Sequence, residues 1–312
     1  MEKVKNFIYK NDISMLLLSL SLFVIFSLFV NNFFSAINFK GLSLSMSTMG
    51  MVVPSMMLLL ACKHIDLSVG SMLASAGVVA AFAIRVTDGN IIAGILAGTL
   101  YGVTWGAVYG YLTAYLGVSA FITTLGGMQI ARGLGFLISG GKTIGVANSG
   151  FFVLGNGAVL GIPLPVIFCA LSFLVFWFIL NKTVFGRNIL AIGGNIEAAR
   201  LAGIDVKKDQ LILFIINGLV IGFTGVVLAS RLTSGQPQSF NGMELTVISA
   251  CVLGGVSLNG GIAKISYILA GVFILSMLEN VMNLMGINPF VQYVIRGLIL
   301  IAAVLLDRAK SK

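Results

Sequence analysis

Few residues in this chain have the type and spacing that would let them do chemistry. His64 is the only histidine, and with no second His or Cys at ligand spacing it makes no metal site. Cys62, Cys169 and Cys251 each lie in or beside an apolar run. They form neither a ligand cluster nor a disulfide framework, and read as small core hydrophobes. Gly140-Gly141-Lys142-Thr143 looks like the end of a phosphate loop, but the first Gly of that motif would fall on Phe136. No dinucleotide-binding glycine pattern and no Ser/His/Asp set is visible. These observations predict no catalytic residue, no cofactor and no metal on this chain. What remains are charges in unusual places. Glu279 and Arg296 interrupt long apolar stretches. Asp66, with Ser68 two residues on, and Glu244 each open an apolar run. A carboxylate there complements the positive end of a helix dipole and accepts backbone N–H bonds. A part in gating is the alternative reading.

Composition identifies the solvent in which such charges sit. Of 312 residues, 58% are hydrophobic and only 9% charged, against about 25% charged in a soluble domain. So few charges cannot cover a water-facing surface, and lipid is the solvent that tolerates them. The 38 glycines fit, since Gly is more frequent in membrane helices than in soluble ones. The net charge of +9 would suit nucleic acid, but the placement of the basic residues points to membrane orientation instead. Residues 1–12 are polar and basic, and the apolar stretch that follows is too long for a signal-peptide core of about 7–15 residues. It is expected to be the first span.

A spanning helix needs about 20 apolar residues. Ten stretches qualify or nearly so: 13–30, 42–62, 68–84, 91–116, 118–138, 164–181, 211–230, 244–258, 264–285 and 290–306. With the N-terminus inside, thirteen Lys and Arg fall in inside segments and four outside, the bias that cytoplasmic loops show. Both ends are then cytoplasmic, 182–209 lies inside and 139–163 outside. The halves also echo each other. Asp66-Leu67-Ser68-Val69-Gly70-Ser71 matches Glu244-Leu245-Thr246-Val247-Ile248-Ser249. Ser119-Ala120-Phe121 with Met128 to Leu134 matches Asn288-Pro289-Phe290 with Tyr293 to Leu298. Each match pairs span n with span n + 5, so the second half must be inverted across the membrane. The expected fold is an all-α membrane protein of about ten transmembrane helices in two inverted five-helix repeats, 13–138 and 164–306, forming one domain over 1–312.

Two further features bear on packing. Gly94, Gly98, Gly102, Gly106 and Gly110 recur every four residues, continued by Ala114. That makes a smooth ridge for close helix approach, read as tight bundle packing in preference to a pore-lining or sliding surface. Glu279 lies fifteen residues into its stretch and Arg296 six into the next, which runs the other way. At about 1.5 Å per residue both reach a similar depth in the outer third. They are expected to pair, because an unpaired charge in mid-membrane is costly.

The inside segment 182–209 reads Phe185-Gly186-Arg187-Asn188-Ile189-Leu190-Ala191-Ile192-Gly193-Gly194-Asn195-Ile196-Glu197-Ala198-Ala199-Arg200-Leu201-Ala202-Gly203-Ile204 in its centre. Asn195 is a good N-cap, Glu197 suits a first turn, and Gly203 suits the position just past a helix end. The residues between predict a short helix of the kind that docks a partner. Ala198 and Ala199 permit close approach, Glu197 and Arg200 offer charged rim contacts, and Arg187 anchors the loop to the membrane body. Gly193, Gly194 and Gly203 let the flanking backbone turn sharply.

This segment resembles the cytoplasmic coupling loop of permease subunits of ABC sugar importers of the ribose, xylose, galactose and arabinose type. Ile65-Asp66-Leu67-Ser68-Val69-Gly70-Ser71 resembles a second hallmark of that family. Family members usually have two Gly where this chain has Lys63 and His64. Leu180 to Thr183, Leu228 to Pro237, Val247 to Ile265 and Gln292 to Asp307 resemble the family's L-arabinose-conducting members. The resemblance implies a bacterial plasma-membrane permease that moves a monosaccharide, L-arabinose or else ribose, xylose or galactose, and is itself no enzyme. It implies a second permease copy as a homodimer, a separate ATPase subunit that binds ATP, and a soluble sugar-binding protein docking from outside, with lipid and not nucleic acid as the surroundings. An ion-coupled sugar transporter would need acidic residues deep in its spans, and only Glu279 is a candidate. A membrane enzyme would need clustered polar groups at one interface, and none is seen.

Overall fold

The computed structural model describes residues 14–310. Among them are thirteen helices and four two-residue strands. Seven helices are long and apolar enough to cross a membrane. They are α2 (Ala36–Ala61), α3 (Val69–Val86), α4 (Ile91–Ala114), α5 (Ala120–Ser139), α7 (Leu164–Lys182), α10 (Val206–Arg231) and α12 (Ile265–Leu284), with α1 (Ser14–Phe29) and α6 (Ser149–Asn156) preceding or between them. α8 (Val184–Gly194), α9 (Ile196–Leu201), α11 (Met243–Leu253) and α13 (Pro289–Lys310) complete the set.

Three of the expected spans are shorter as apolar helices: Leu17–Phe29, Met243–Leu253 and Pro289–Leu305. The reason is clearest in α11. The apolar run continues to Leu258, but the helix stops where Gly254 and Gly255 follow, Gly255 at φ 78. There the Val256 N–H returns to the Cys251 carbonyl at 3.0 Å. Hydropathy is blind to that turn. α2, by contrast, starts six residues earlier than its apolar run. Ser35 caps it by accepting from the Asn38 N–H. The Asn38 amide is matched by Asn280 of α12 in two reciprocal bonds of 3.0 and 2.7 Å, so a polar side chain is carried into the bundle with its partner.

The centre of the bundle is built on backbone contact. The buried residues of α4 are Gly94, Gly98, Gly102, Gly106, Tyr109, Gly110 and Ala114. This ridge lies against α10 and α3. A methyl group on Gly102 would come within 2.7 Å of Gly222 Cα, and one on Gly106 within 3.0 Å of Ile215 Cα. The partner helix reciprocates, since a methyl on Gly218 would meet Gly106 Cα at 2.9 Å. With lipid outside there is no hydrophobic drive between helices, and such close approach supplies the dispersion contact instead.

Segment 139–163 is folded onto the chain that follows α10. β1 (Ile144–Gly145) pairs antiparallel with β4 (Ser234–Gly235), while β2 (Ala158–Val159) and β3 (Ile162–Pro163) form a hairpin within the segment. Segment 182–209, expected as a loop with one short helix, is almost wholly helical: α8, α9 and the first turn of α10.

Candidate functional site

α9 is a single short helix closed at both ends by its own residues. The Asn195 side-chain oxygen accepts from the Glu197 and Ala198 N–H groups, each at 3.0 Å. At the far end Gly203 stands at φ 83 and the Ile204 N–H returns to the Ala199 carbonyl at 3.1 Å. Only a residue without Cβ takes that turn cheaply. Glu197 and Arg200 pair at 3.1 Å with both side chains more than half exposed, so the pair adds little to stability.

The two alanines do not share a face. Ala198 is exposed, whereas Ala199 is buried inside this chain and does not belong to the outward surface. The most exposed large apolar residue of α9 is Leu201, at 89%, with Ile196 also exposed. Arg187 is exposed. The tie from α8 to the body is made by its neighbour Asn188, whose amide donates to Asp209 at 2.8 Å. Nor do Gly193 and Gly194 turn the chain, since both lie inside α8. A methyl on Gly193 would collide with the Ala61 carbonyl, and one on Gly261 would come within 3.0 Å of Gly194 Cα. Those glycines let the end of α8 sit directly on the end of α2 and on the 254–264 segment.

Beside α9 is a cavity of about 650 Å³ whose wall includes Lys63, His64, Tyr115, Arg200 and Lys207. The Lys207 ammonium lies 5.7 Å from the Tyr115 ring centre, a cation–π distance. Lys63 stands at φ 61, a left-handed conformation that glycine adopts without cost. His64 packs its ring 5.5 Å from Phe214 of α10, and its Nε2 is buried with no hydrogen-bond partner among the described residues. That burial pushes the imidazole down to about 4, so it is neutral in ordinary conditions.

Asp66 is buried and fully satisfied. Its carboxylate accepts from the Ser68 N–H at 2.8 Å, the Ser68 hydroxyl at 2.6 Å and the Asn217 amide at 2.7 Å. Asn217 in turn accepts from Ser55 at 2.8 Å. One carboxylate thereby joins α2, the start of α3 and α10. Glu244, in the first turn of α11, lies against the start of α3. A methyl on Gly70 would come 2.6 Å from its carboxylate oxygen. Between them reaches Arg132 of α5. Its Nε donates to Ser71 at 3.2 Å, and one terminal nitrogen donates to the carbonyls of Pro237 and Ser239 at 2.6 and 2.7 Å. Arg132 lies within the expected span 118–138, and neither it nor Asn217 stands out by type or spacing in the sequence.

Arg296 Nε lies 3.2 Å from Glu279 Oε1, with the side chains 33% and 21% exposed. The Arg296 Nε–H nevertheless makes no hydrogen bond among the described residues, so the contact with Glu279 is charge against charge and not a directed bond. The guanidinium also lies 5.6 Å from the Tyr293 ring centre.

Residues 37–304 match the family described as branched-chain amino acid transport system / permease component. Among curated proteins, the chain is 52% identical to the L-arabinose transport system permease protein AraH of Escherichia coli (strain K12), an alignment covering 96% of this chain and 90% of that one. It is 45% identical to the L-arabinose ABC transporter permease protein AraH of Azospirillum brasilense, over 96% and 88%. It is 40% identical to the ribose import permease protein RbsC of Bacillus subtilis (strain 168), over 93% and 90%. No solved structure matches it. With the match running through nearly every helix described above, the chain belongs to the branched-chain amino acid transport system / permease component family.

Proposed function

We propose that this chain is the membrane-spanning permease of an ATP-driven importer that carries a monosaccharide, L-arabinose, into the bacterial cytoplasm. The observation that carries the reading is the likeness, over nearly the whole chain, to two permeases named for L-arabinose. Ribose permeases are more distant. ATP is hydrolysed by a separate ATPase subunit, the sugar is delivered by a soluble binding protein, and two copies of this chain form the passage. The ten-span topology with both ends inside takes α1, α11 and α13 as the remaining three crossings. Inverted repeats are supported by the paired sequence matches between the two halves.

In this reading α9 seats in a groove on the ATPase and transmits its motion. Support comes from its exposed Leu201, Ala198, Glu197 and Arg200, and from the rigid glycine contacts beneath α8 that would pass a push to α2. The test is co-expression with the cognate ATPase and binding protein, followed by labelled L-arabinose uptake. Ala198→Trp adds bulk on the outer face without touching the buried side. It should leave the permease folded while abolishing ATPase co-purification and uptake. Normal uptake by that variant would remove the docking role. Ribose outcompeting L-arabinose in the wild type would reassign the sugar.

A further inference from the structure

We infer that this chain carries a sugar-binding waypoint of its own, a cavity of about 240 Å³ whose wall includes Ser45, Thr48, Arg231, Phe240, Thr246 and Glu279. The inference rests on the proposed function, and adds where in the permease the sugar rests.

The cavity is drawn from four parts of the chain: α2, the end of α10, the segment after it, and α11 with α12. Thr48 stands thirteen residues before the α9-side end of α2, about 20 Å away at about 1.5 Å per residue. The cavity therefore lies in the half of the membrane away from α9. Its volume is far above the roughly 10–15 Å³ that seats one water, and is on the scale of a small polyol.

The chemistry of the wall selects the ligand class. The wall carries the Arg231 guanidinium as a donor, the hydroxyls of Ser45, Thr48 and Thr246, and the Glu279 carboxylate, whose charge Arg296 already balances at 3.2 Å. Donors and acceptors on one wall suit a neutral molecule that has many of both. A polyol leaving water needs such partners, because each unpaired hydroxyl in an apolar passage is costly. Arg231 is held ready. Both of its hydrogen bonds among the described residues use one terminal nitrogen, to the Leu44 carbonyl at 3.2 Å and the Thr48 hydroxyl at 3.1 Å. The rest of the guanidinium is left for a ligand. Phe240 supplies an apolar face for the C–H side of a sugar ring. It is held there at φ 62, a left-handed conformation that is costly for a bulky residue and tends to persist at functional positions.

The test uses the complete complex of permease, ATPase and loaded binding protein in proteoliposomes, reading L-arabinose imported per ATP hydrolysed. Ser45→Phe fills the cavity, and Arg231→Gln removes its charged donor. Both should keep sugar-stimulated ATP hydrolysis. Arg231→Gln should lower maximal uptake about tenfold, the scale of one lost charge-assisted hydrogen bond, and Ser45→Phe should lower it further. Import per ATP at the wild-type ratio in Ser45→Phe overturns the site. Should Arg231→Gln fail to fold, Ser45→Phe alone decides, because it removes no partner from a neighbouring group. A wild-type complex that hydrolyses ATP but moves no sugar overturns the proposed function itself, and this site with it.

Discussion

Between α4 and α10 the contact is made of backbone. Glycines on both helices bring carbonyls and Cα atoms together, and no charge intervenes. Where α11, α12 and α13 meet, the helices stand apart, and the space between them holds Glu279, Arg296, Thr246 and open cavities. Both regions sit in the same lipid. The first gains its stability from closeness and tolerates no added atom. The second is held by charge and is hollow, so its stability depends on what fills it or pairs across it. A transporter needs both kinds of region, one that moves as a unit and one that opens.

The sharpest way to break this contrast is to add bulk on the closed side. Gly102→Leu places atoms where Gly222 Cα would be 2.7 Å from the first carbon. It should cost more than about 3 kcal/mol, seen as loss of monodisperse protein after detergent extraction. The control is Gly133→Ala in α5, where nothing lies within 4 Å. Replacing a helical glycine there should gain about 0.5–1 kcal/mol. Equal effects at the two positions would mean the ridge is not the tight contact described.

On the hollow side a smaller effect is expected. Glu279→Gln leaves Arg296 without its countercharge. Breaking a fully buried pair costs about 3–5 kcal/mol, and the partial exposure of both side chains reduces this to about 1–2 kcal/mol. Arg296→Gln added to it should restore part of the loss. A double-mutant cycle read by thermal unfolding in detergent measures the coupling, and strict additivity would mean the two charges act separately.

A pH-dependent effect concerns His64, which packs on the closed body through Phe214. Burial lowers its folded pKa to about 4 from an ordinary 6.5. The unfolded chain therefore takes up the proton first as pH falls. The stability tied to the neutral ring is intact above 6.5, declines between 6.5 and about 4, and is fully lost below. His64→Phe should flatten that part of the pH dependence of the melting temperature. An unchanged profile would show that the ring is not held neutral.

The legible parts of this molecule were those with a long period or a rare residue. A glycine every fourth position over five turns leaves little freedom, and in α4 those glycines are the buried face. Glu279 and Arg296 stand out because charges in apolar runs are few. Shorter signals failed for physical reasons. A helix of six residues such as α9 makes under two turns, too few to reveal that Ala199 points inward while Ala198 points out. The turn at Gly255 ends α11 in the middle of an apolar run. The cavity beside Arg231 unites Ser45, Arg231, Phe240 and Glu279, positions far apart in sequence that only tertiary packing brings together.

Arg132 also has a mechanical consequence. Its guanidinium, fixed to α5, holds two carbonyls, Pro237 and Ser239, of the segment that ends at Phe240. Two bonds from one rigid fork resist rotation as well as separation. Arg132 thereby ties α5 to the residue before Phe240, which lines the cavity beside Arg231. A lysine there would keep the charge but lose the torque, since a single rotating ammonium cannot hold an orientation.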